Sequence, residues 1–394
     1  MTQRLTPESS AGPQTDRTDR FLAGGLAACV VLMVLAWNFT GAFQGDILGF
    51  YKIGTILPHS PFLHPNKAVL AQGEVGYDGQ MFLSIALDPS LSQPQSLASL
   101  DNPRYRCRRI LFPLLGYLTS FGWRPAIPFM LVAINAACFI ALVVVVAGFL
   151  SARGRPAREA LFILAIPGLW CSLLLTTADL LASLLLALAL IAFTRKRYKS
   201  LALFYGLAAL THETMIAVVG SLAIPLLFDR HLRNAGTVLL GCVPAAAWNI
   251  AILLRLPSTG STTGIAENFS TPGRGIIEKF QAIFAGPMSA KWLFDSSTFF
   301  LLCATLCLLI LSALSRRTSG FAVPCSCVYL GFFLLAKMQI LSYYLNFLRV
   351  FASVLLLLVV SLEDPLWPTA RNTVMPAWAA VSVAFVGAYS LGLI

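Results

Sequence analysis

The residues best suited to chemistry lie in a polar segment that follows the first long apolar run. Asp78 stands between Gly76 and Gly79, and the residues after it are apolar at helical spacing as far as Pro89. This spacing predicts a short amphipathic helix that lies on the membrane and begins near Asp78. A carboxylate there is favoured by the helix dipole, and glycine permits a sharp turn or a close ligand approach. An ordinary helix cap is the other interpretation.

A group of arginines follows, directly before the next apolar run. Four of them occur within six residues: Arg104, Arg106, Arg108 and Arg109. Guanidinium groups bind phosphate through paired hydrogen bonds, so the group predicts a phosphate site at the membrane surface. Arginines that reach toward lipid headgroups are the alternative. Asp101, just upstream, could instead pair with one of them.

Ionisable residues inside apolar runs are costly in a membrane and mark further candidate positions. Asp179 follows two threonines at a predicted helix end, where a helix cap is the alternative role. His212 and Glu213 interrupt the apolar run 201–228. Arg349 follows two tyrosines near another helix end and is either an interface anchor or a second phosphate contact.

Patterns that hold metals or nucleotides are missing from the sequence. His59 and His64 have a spacing that fits no familiar zinc motif, and there is no Walker loop, GxSxG or HExxH sequence. The sequence therefore predicts no metal ligands and no certain cofactor.

The composition shows what kind of element must position these residues. Hydrophobic residues make up 57% of the 394 positions and charged residues 11%, whereas soluble domains are about 25% charged. Lipid must therefore be much of the solvent, and the bilayer is the first partner. The net charge of +11 comes from short clusters between apolar runs, not from a basic stripe, so nucleic acid is not expected as a partner.

The apolar runs predict an all-α fold, a polytopic bundle of about ten to twelve transmembrane helices. Residues 1–20 are expected to be a disordered cytoplasmic tail, and residues 21–394 a single transmembrane domain. The bias of Lys and Arg between loops places the N-terminus in the cytoplasm. Two outer loops then follow, residues 44–109, with the short amphipathic helices, and residues 255–297, whose part in holding an acceptor stays open.

Three motifs carry a resemblance: Gly76-Tyr77-Asp78-Gly79-Gln80 with Ala86-Leu87-Asp88-Pro89, then Asp101-Asn102-Pro103-Arg104-Tyr105-Arg106, then Leu210-Thr211-His212-Glu213-Thr214. They resemble a group of bacterial polytopic proteins linked to cell-surface glycopolymer formation. More broadly, the arrangement resembles the GT-C superfamily of membrane glycosyltransferases. Members use a sugar carried on a polyprenyl phosphate and work on the outer face of the membrane. The resemblance therefore implies transfer to a cell-envelope glycan or lipid acceptor on the outer face of a bacterial cytoplasmic (inner) membrane.

The resemblance implies roles for individual residues. Asp78 becomes the candidate general base, and the four clustered arginines, with Arg349, become candidate ligands of the donor phosphate. Further site candidates are Tyr77, Gln80, Asp88, Asp101, Tyr105, Asp179, His212 and Glu213. A divalent metal requirement is left open. A transporter or flippase of a lipid-linked saccharide, or a non-catalytic subunit of an envelope-assembly complex, are the alternative functions.

Overall fold

The computed structural model describes residues 13–256, 268–314, 320–361 and 366–393. In these ranges nearly all regular structure is helical, and the strands are two short segments, Ile53–Gly54 and Leu70–Ala71, which pair in parallel. The all-α prediction is confirmed.

The α-helices follow one another closely along the chain. In order they span Pro13–Trp37, Asp78–Leu87, Pro94–Ala98, Pro103–Arg106, Leu111–Thr119, Ile127–Ser151, Pro167–Leu174, Asp179–Thr194, Tyr198–Thr211, Thr214–Gly220, Ala223–Phe228, Leu232–Leu240, Val243–Arg255, Arg274–Ala285, Ala290–Leu314, Ala322–Leu335, Met338–Leu341, Tyr344–Val350, Ala352–Ser361, Leu366–Thr369 and Met375–Ser390. The 3₁₀ segments are Ile47–Tyr51, Lys67–Val69, Arg124–Ala126 and Ala157–Ala165, and the π segments are Asn38–Ala42 and Ala370–Val374.

Several of these segments are suited to cross a membrane. Within the described ranges six are long and apolar enough: Arg17–Ala42, Arg124–Ser151, Leu232–Arg255, Ala290–Leu314, Tyr344–Ser361 and Leu366–Ser390. Ala157–Ala165 and Pro167–Leu174 meet at 64° and would make a seventh as a broken span. Three shorter apolar helices accompany them. The protein is therefore a multi-pass membrane protein, with fewer long spans than the ten to twelve helices expected, because several apolar runs are broken.

The N-terminal segment is described only from Pro13 onward. Residues 1–12 lie outside the described part, and the first helix begins at Pro13, so the tail predicted for residues 1–20 stays a prediction. Proline suits the first turn of a helix because the amide hydrogen it lacks would have no intrahelical acceptor there.

The first polar loop is folded into the protein instead of lying on the membrane. All ten residues of the helix Asp78–Leu87 are buried, which corrects the prediction of a helix on the membrane surface. Met81 and Ile85 pack in one apolar cluster, whereas Phe82 and Leu83 pack in the main core. The helix is apolar on most sides after its first turn, so burial on all sides is favourable.

Two further apolar segments, Leu111–Thr119 and the run 201–228, are not single long helices. Leu111–Thr119 has nine residues, too few to cross a bilayer. The run 201–228 is broken at His212 and Glu213, between the helices Tyr198–Thr211 and Thr214–Gly220. In the second polar loop, residues 257–267 lie outside the described part, and a helix spans Arg274–Ala285.

Candidate functional site

Two glycines fix the chain around Asp78, the first residue of its helix. Gly76 has a φ of +92°, in the left-handed region that favours glycine. A Cβ on Gly79 would lie 2.2 Å from the carbonyl oxygen of Leu175, so the start of the helix packs directly against that backbone. Asp78 is therefore held at a defined place beside the turn that contains Leu175.

Three arginines surround the carboxylate of Asp78. Arg106 Nη1 donates a hydrogen bond to Oδ1 at 2.5 Å, and Arg349 Nη2 donates to Oδ2 at 2.5 Å. Arg109 Nη1 lies 3.6 Å from Oδ2. The Asp78 side chain is only 12% exposed, so water screens these contacts weakly.

The arginines control the protonation of Asp78. Burial by itself would raise the pKa of this carboxyl, but the charges of Arg106, Arg349 and Arg109 outweigh burial and hold the pKa well below its ordinary value. Asp78 is therefore ionised at neutral pH and, while the arginines hold it, is a weak base.

Each of the three arginines also binds a second carboxylate. Arg106 forms paired hydrogen bonds to Asp101 at 2.7 and 2.6 Å. Arg109 forms a similar pair to Glu213 at 2.7 and 2.5 Å. Arg349 Nε lies 3.2 Å from Asp179 Oδ2. In this network, three guanidinium groups face four carboxylates, so the arginine charge is fully balanced and the formal charges leave one negative charge in excess.

The network is assembled from helix ends and helix breaks. Asp78 and Asp179 are the first residues of their helices, where the helix dipole favours a carboxylate. Glu213 lies in the break after Thr211, and Arg349 lies in the helix Tyr344–Val350. Residues far apart in sequence thus meet where helices start or stop.

Two tyrosines support the arginines. The guanidinium groups of Arg109 and Arg106 lie 4.8 and 5.4 Å from the ring centre of Tyr105, and that of Arg349 lies 4.9 Å from the ring centre of Tyr77. Such contacts attract a cation to the face of the ring. The Tyr105 hydroxyl donates to Glu213 Oε1 at 3.0 Å. Burial raises the pKa of Tyr105, so this hydroxyl keeps its proton.

His212 lies beside the network as a neutral ring. The backbone amide of Thr214 donates to His212 Nδ1 at 3.3 Å, so Nδ1 is the acceptor and the ring proton is assigned to Nε2. Nε2 lies 3.6 Å from Asp179 Oδ1. His212 therefore lies next to Asp179 at a distance longer than a hydrogen bond, and it also lines the cavity described below.

The network forms one wall of a cavity of about 670 Å³. The lining of the same cavity has an apolar part that includes Phe269, Phe332 and Ile340, and the rings of Phe269 and Phe332 stack with centres 5.9 Å apart. We call this part the apolar wall. Arg349 Nη1 is buried without a hydrogen-bond partner among the described residues, although its residue lines the cavity. A buried guanidinium N–H without an acceptor costs free energy, so an anionic ligand that accepts its hydrogen bond would be stabilised there.

Most of the residues singled out in the sequence meet here. Those that line the cavity are Tyr77, Asp78, Asp101, Tyr105, Arg106, Arg109, His212, Glu213 and Arg349. Asp179 contacts this set through Arg349 and His212.

The remaining candidates lie outside the cavity. Arg104 Nε donates to the carbonyl oxygen of Leu256 at 2.8 Å, and Arg108 does not line the cavity. Gln80 accepts a hydrogen bond from the Gly54 amide at 2.8 Å. Asp88 accepts hydrogen bonds from the residues that follow it, including the Gln93 amide at 3.1 Å. The side chains of Arg104, Gln80 and Asp88 thus hold loops in place.

Sequence reasoning missed other residues that line the cavity: Asn268, Phe269, Phe332, Gln339 and Asn346. Asn346 Oδ1 accepts a hydrogen bond from the Tyr77 hydroxyl at 3.2 Å. Asn268 and Phe269 belong to the second polar loop, and the polar composition of that loop was the only feature of the sequence that pointed to them. Phe332 has no signal in the sequence, because an aromatic residue in an apolar helix is ordinary.

A metal does not fit this set of side chains. Among the residues that the structure describes, no group of three or more His, Cys, Asp or Glu is arranged to hold an ion. Three of the carboxylates nearest the cavity, Asp78, Asp101 and Glu213, are bound by guanidinium groups, which occupy oxygen atoms that a divalent cation would need as ligands.

Comparisons with known proteins give no match: no family model, no curated protein and no solved structure is similar to this chain.

Proposed function

We propose that the protein is a membrane glycosyltransferase that moves a sugar from a polyprenyl-phosphate donor to a glycan or lipid acceptor, with the cavity around Asp78 as its active site. The observation that carries the proposal is one cavity whose lining combines three arginines around a carboxylate with aromatic and aliphatic side chains.

The arginine wall suits the phosphate of the donor. Arg106, Arg109 and Arg349 converge on the small volume that the carboxylate of Asp78 occupies, and a phosphate diester offers the same guanidinium groups two anionic oxygens. The free Nη1 of Arg349 adds a donor that no carboxylate satisfies. The leaving phosphate carries developing charge, which these groups stabilise.

The apolar wall suits the lipid that carries the phosphate. Phe269, Phe332 and Ile340 provide contacts for the first isoprene units or for one face of the sugar ring. A soluble anion would gain nothing from this wall, so a ligand with a phosphate and an apolar chain fits better than an inorganic anion.

The donor phosphate also makes Asp78 a better base. Because phosphate competes for Arg106 and Arg349, its binding releases the carboxylate and removes the charges that keep its pKa low. The acceptor hydroxyl oxygen then bonds to the anomeric carbon while the bond from that carbon to the phosphate oxygen breaks. Asp78 takes the hydroxyl proton, and polyprenyl phosphate leaves with the electron pair.

We further propose that this active site faces outward in a bacterial cytoplasmic (inner) membrane. The first polar loop meets one end of the helix Ile127–Ser151, where the Tyr51 hydroxyl donates to Pro128 O at 2.6 Å. Arg153 and Arg155 follow its other end, about 37 Å away at 1.5 Å per residue. Since arginine clusters favour the cytoplasmic side, the cavity belongs on the opposite side.

The test is transfer by the purified protein in lipid vesicles, with radiolabelled polyprenyl-phosphate sugars and an envelope extract as the source of acceptor. We expect Asp78→Asn to lower the transfer rate by about 10² to 10⁴, the usual contribution of a general base. Asp88→Asn is the matched control, because Asp88 caps the other end of the same helix outside the cavity. It should keep a rate within about threefold of wild type.

Each outcome has a defined meaning. Equal transfer by wild type and a folded Asp78→Asn variant would assign the base elsewhere and overturn the role of Asp78. If the wild type transferred sugar from no polyprenyl-phosphate donor but moved the labelled lipid across the vesicle membrane, the protein would be a flippase and not a glycosyltransferase.

A further inference from the structure

A second cavity lies away from Asp78, between the first helix, the segment Ala157–Ala165 and the last helix. Its volume is about 810 Å³, and most of its lining is apolar. The apolar lining includes Val30, Val34, Leu161, Phe162, Trp170 and Val386. We call it the lipid groove. It lies between two segments long and apolar enough to cross a membrane, Arg17–Ala42 and Leu366–Ser390, and is therefore accessible to bilayer lipid.

One end of the lipid groove is positively charged. Arg158 and Arg371 both line it; Arg158 is exposed, and the Arg371 side chain is 42% exposed. The one acidic lining residue, Glu159, is buried between two arginines: Arg155 Nη2 lies 2.8 Å from its Oε2, and Arg371 Nη1 lies 3.5 Å from its Oε1. This end therefore carries three arginines and one carboxylate, which leaves two positive charges in excess.

The helix backbone is irregular at the same end of the lipid groove. Arg371 lies in the π segment Ala370–Val374, an irregularity that is rare and is frequently found at functional sites. From Arg371 to Gly387, which also lines the groove, the helix advances about 24 Å at 1.5 Å per residue. This exceeds the ~15 Å depth of hydrocarbon in one leaflet, so a whole acyl chain fits beside it.

We propose that the lipid groove binds one anionic phospholipid of the bilayer, with an acyl chain against the apolar lining and the headgroup phosphate between Arg158 and Arg371. This site lies at the opposite end of the bundle from the Asp78 cavity, because Arg158 lies beyond the end of Ile127–Ser151 that is distant from the first polar loop. It does not depend on the proposed glycosyltransferase activity.

Trp170 provides the measurement, because it lines the groove and bromine on an acyl chain quenches tryptophan fluorescence on contact. The protein is reconstituted in phosphatidylcholine vesicles that contain a small fraction of brominated-chain lipid, with either a phosphatidylglycerol or a phosphatidylcholine headgroup. The difference between wild type and Trp170→Phe isolates the signal of Trp170. We expect brominated phosphatidylglycerol to quench this signal at about one fifth of the concentration that phosphatidylcholine needs, since basic side chains near the surface attract anionic lipid.

Variants separate the headgroup from the chain. Arg158→Gln/Arg371→Gln should remove the preference for phosphatidylglycerol and keep quenching at high lipid content. Arg195→Gln/Arg197→Gln removes the same charge at exposed positions after another helix and should keep the preference. Ala379→Phe, which fills the groove, should lower quenching by both lipids.

Three results would overturn the proposal. If no brominated lipid quenched the fluorescence of Trp170, we would conclude that lipid does not enter the groove. Equal quenching of wild type by the two headgroups would remove the anionic preference. An undiminished preference in a folded Arg158→Gln/Arg371→Gln variant, with its unfolding midpoint unchanged, would assign the preference to other residues.

Discussion

Arg349 Nη2 lies 2.5 Å from Asp78 Oδ2, although 271 positions separate the two residues in the chain. The contact joins the first polar loop to the helix Tyr344–Val350, and the hydrogen bond between Tyr77 and Asn346 reinforces it at 3.2 Å. The candidate site is therefore complete only when the C-terminal helices have packed against the first loop.

Replacement of Arg349 by lysine tests the phosphate role. Arg349→Lys keeps the charge but loses the fork that reaches Asp78 and Asp179 together. We expect the KM for the polyprenyl-phosphate donor to rise about ten- to hundredfold, as for the loss of one or two charged hydrogen bonds. Steady-state transfer kinetics with varied donor would measure it.

Arg108→Lys is the matched control, because Arg108 belongs to the same sequence cluster but lies outside the cavity. Its donor KM should stay within about twofold of wild type. A larger effect at Arg108 than at Arg349 would move the phosphate site out of the cavity around Asp78.

The stability of the protein should depend on pH through Asp78. Its pKa in the folded state is lower than the ordinary value of about 3.9, so its ionised form stabilises the fold fully above about pH 5. This stabilisation is lost progressively as the pH falls through about 4 toward the folded pKa. We expect Asp78→Asn to unfold at a lower temperature than wild type at pH 7, and the difference to narrow by pH 3.

Thermal unfolding in detergent at several pH values would follow the two proteins. Since the other carboxylates titrate in both, the difference between the midpoints isolates Asp78. A difference that stays constant from pH 7 to pH 3 would contradict the strongly lowered pKa.

The sequence predicts the components of the site better than their arrangement. The cost of a charged group in lipid was enough to single out Asp179, Glu213 and Arg349. Their meeting with Asp78 depends on tertiary packing between segments far apart in the chain, and no local pattern records that.

Within the arginine cluster, local spacing was equally uninformative. Arg104, Arg106, Arg108 and Arg109 are the same in type, but the short helix Pro103–Arg106 and the turn after it direct only the second and fourth into the cavity. The membrane-surface helix was predicted wrongly for a related reason. Hydrophobic spacing shows which side of a helix is apolar, but does not show whether protein or lipid covers that side.

A methyl group at Gly79 should disrupt the site without removing any polar group. The Cβ of Gly79→Ala would lie 2.2 Å from Leu175 O, a separation that forces the helix start and the adjacent turn apart. We expect transfer to fall at least about tenfold, because a displacement of about 1 Å at a catalytic group can cost a hundredfold. The thermal midpoint should also fall.

Gly25→Ala is the control for Gly79→Ala, because a Cβ on Gly25 meets nothing within 4 Å and alanine favours a helix. It should leave activity unchanged and should not lower the midpoint. Normal activity of Gly79→Ala would show that Asp78 does not need its present position.

The pairing of Arg109 with Glu213 should be strongly coupled. Both side chains are largely buried, at 6% and 19% exposure, and each single change to glutamine leaves one charge without its main partner. Loss of one partner of a buried pair costs about 3 kcal/mol. We expect Arg109→Gln/Glu213→Gln to cost less than the two single variants together, with a coupling of at least about 1 kcal/mol.

Unfolding in mixed micelles would measure the free energies, and the surface pair Arg274–Glu278 provides the reference. Its side chains are 69% and 37% exposed, and an exposed pair of this kind is worth about 0.3 to 0.5 kcal/mol. If the double-mutant cycles at the two pairs gave the same small coupling energy, the arginine network would be no more than a set of solvated ion pairs. A large coupling at Arg109 and Glu213 alone would mean that the network holds the cavity wall rigid before any ligand enters.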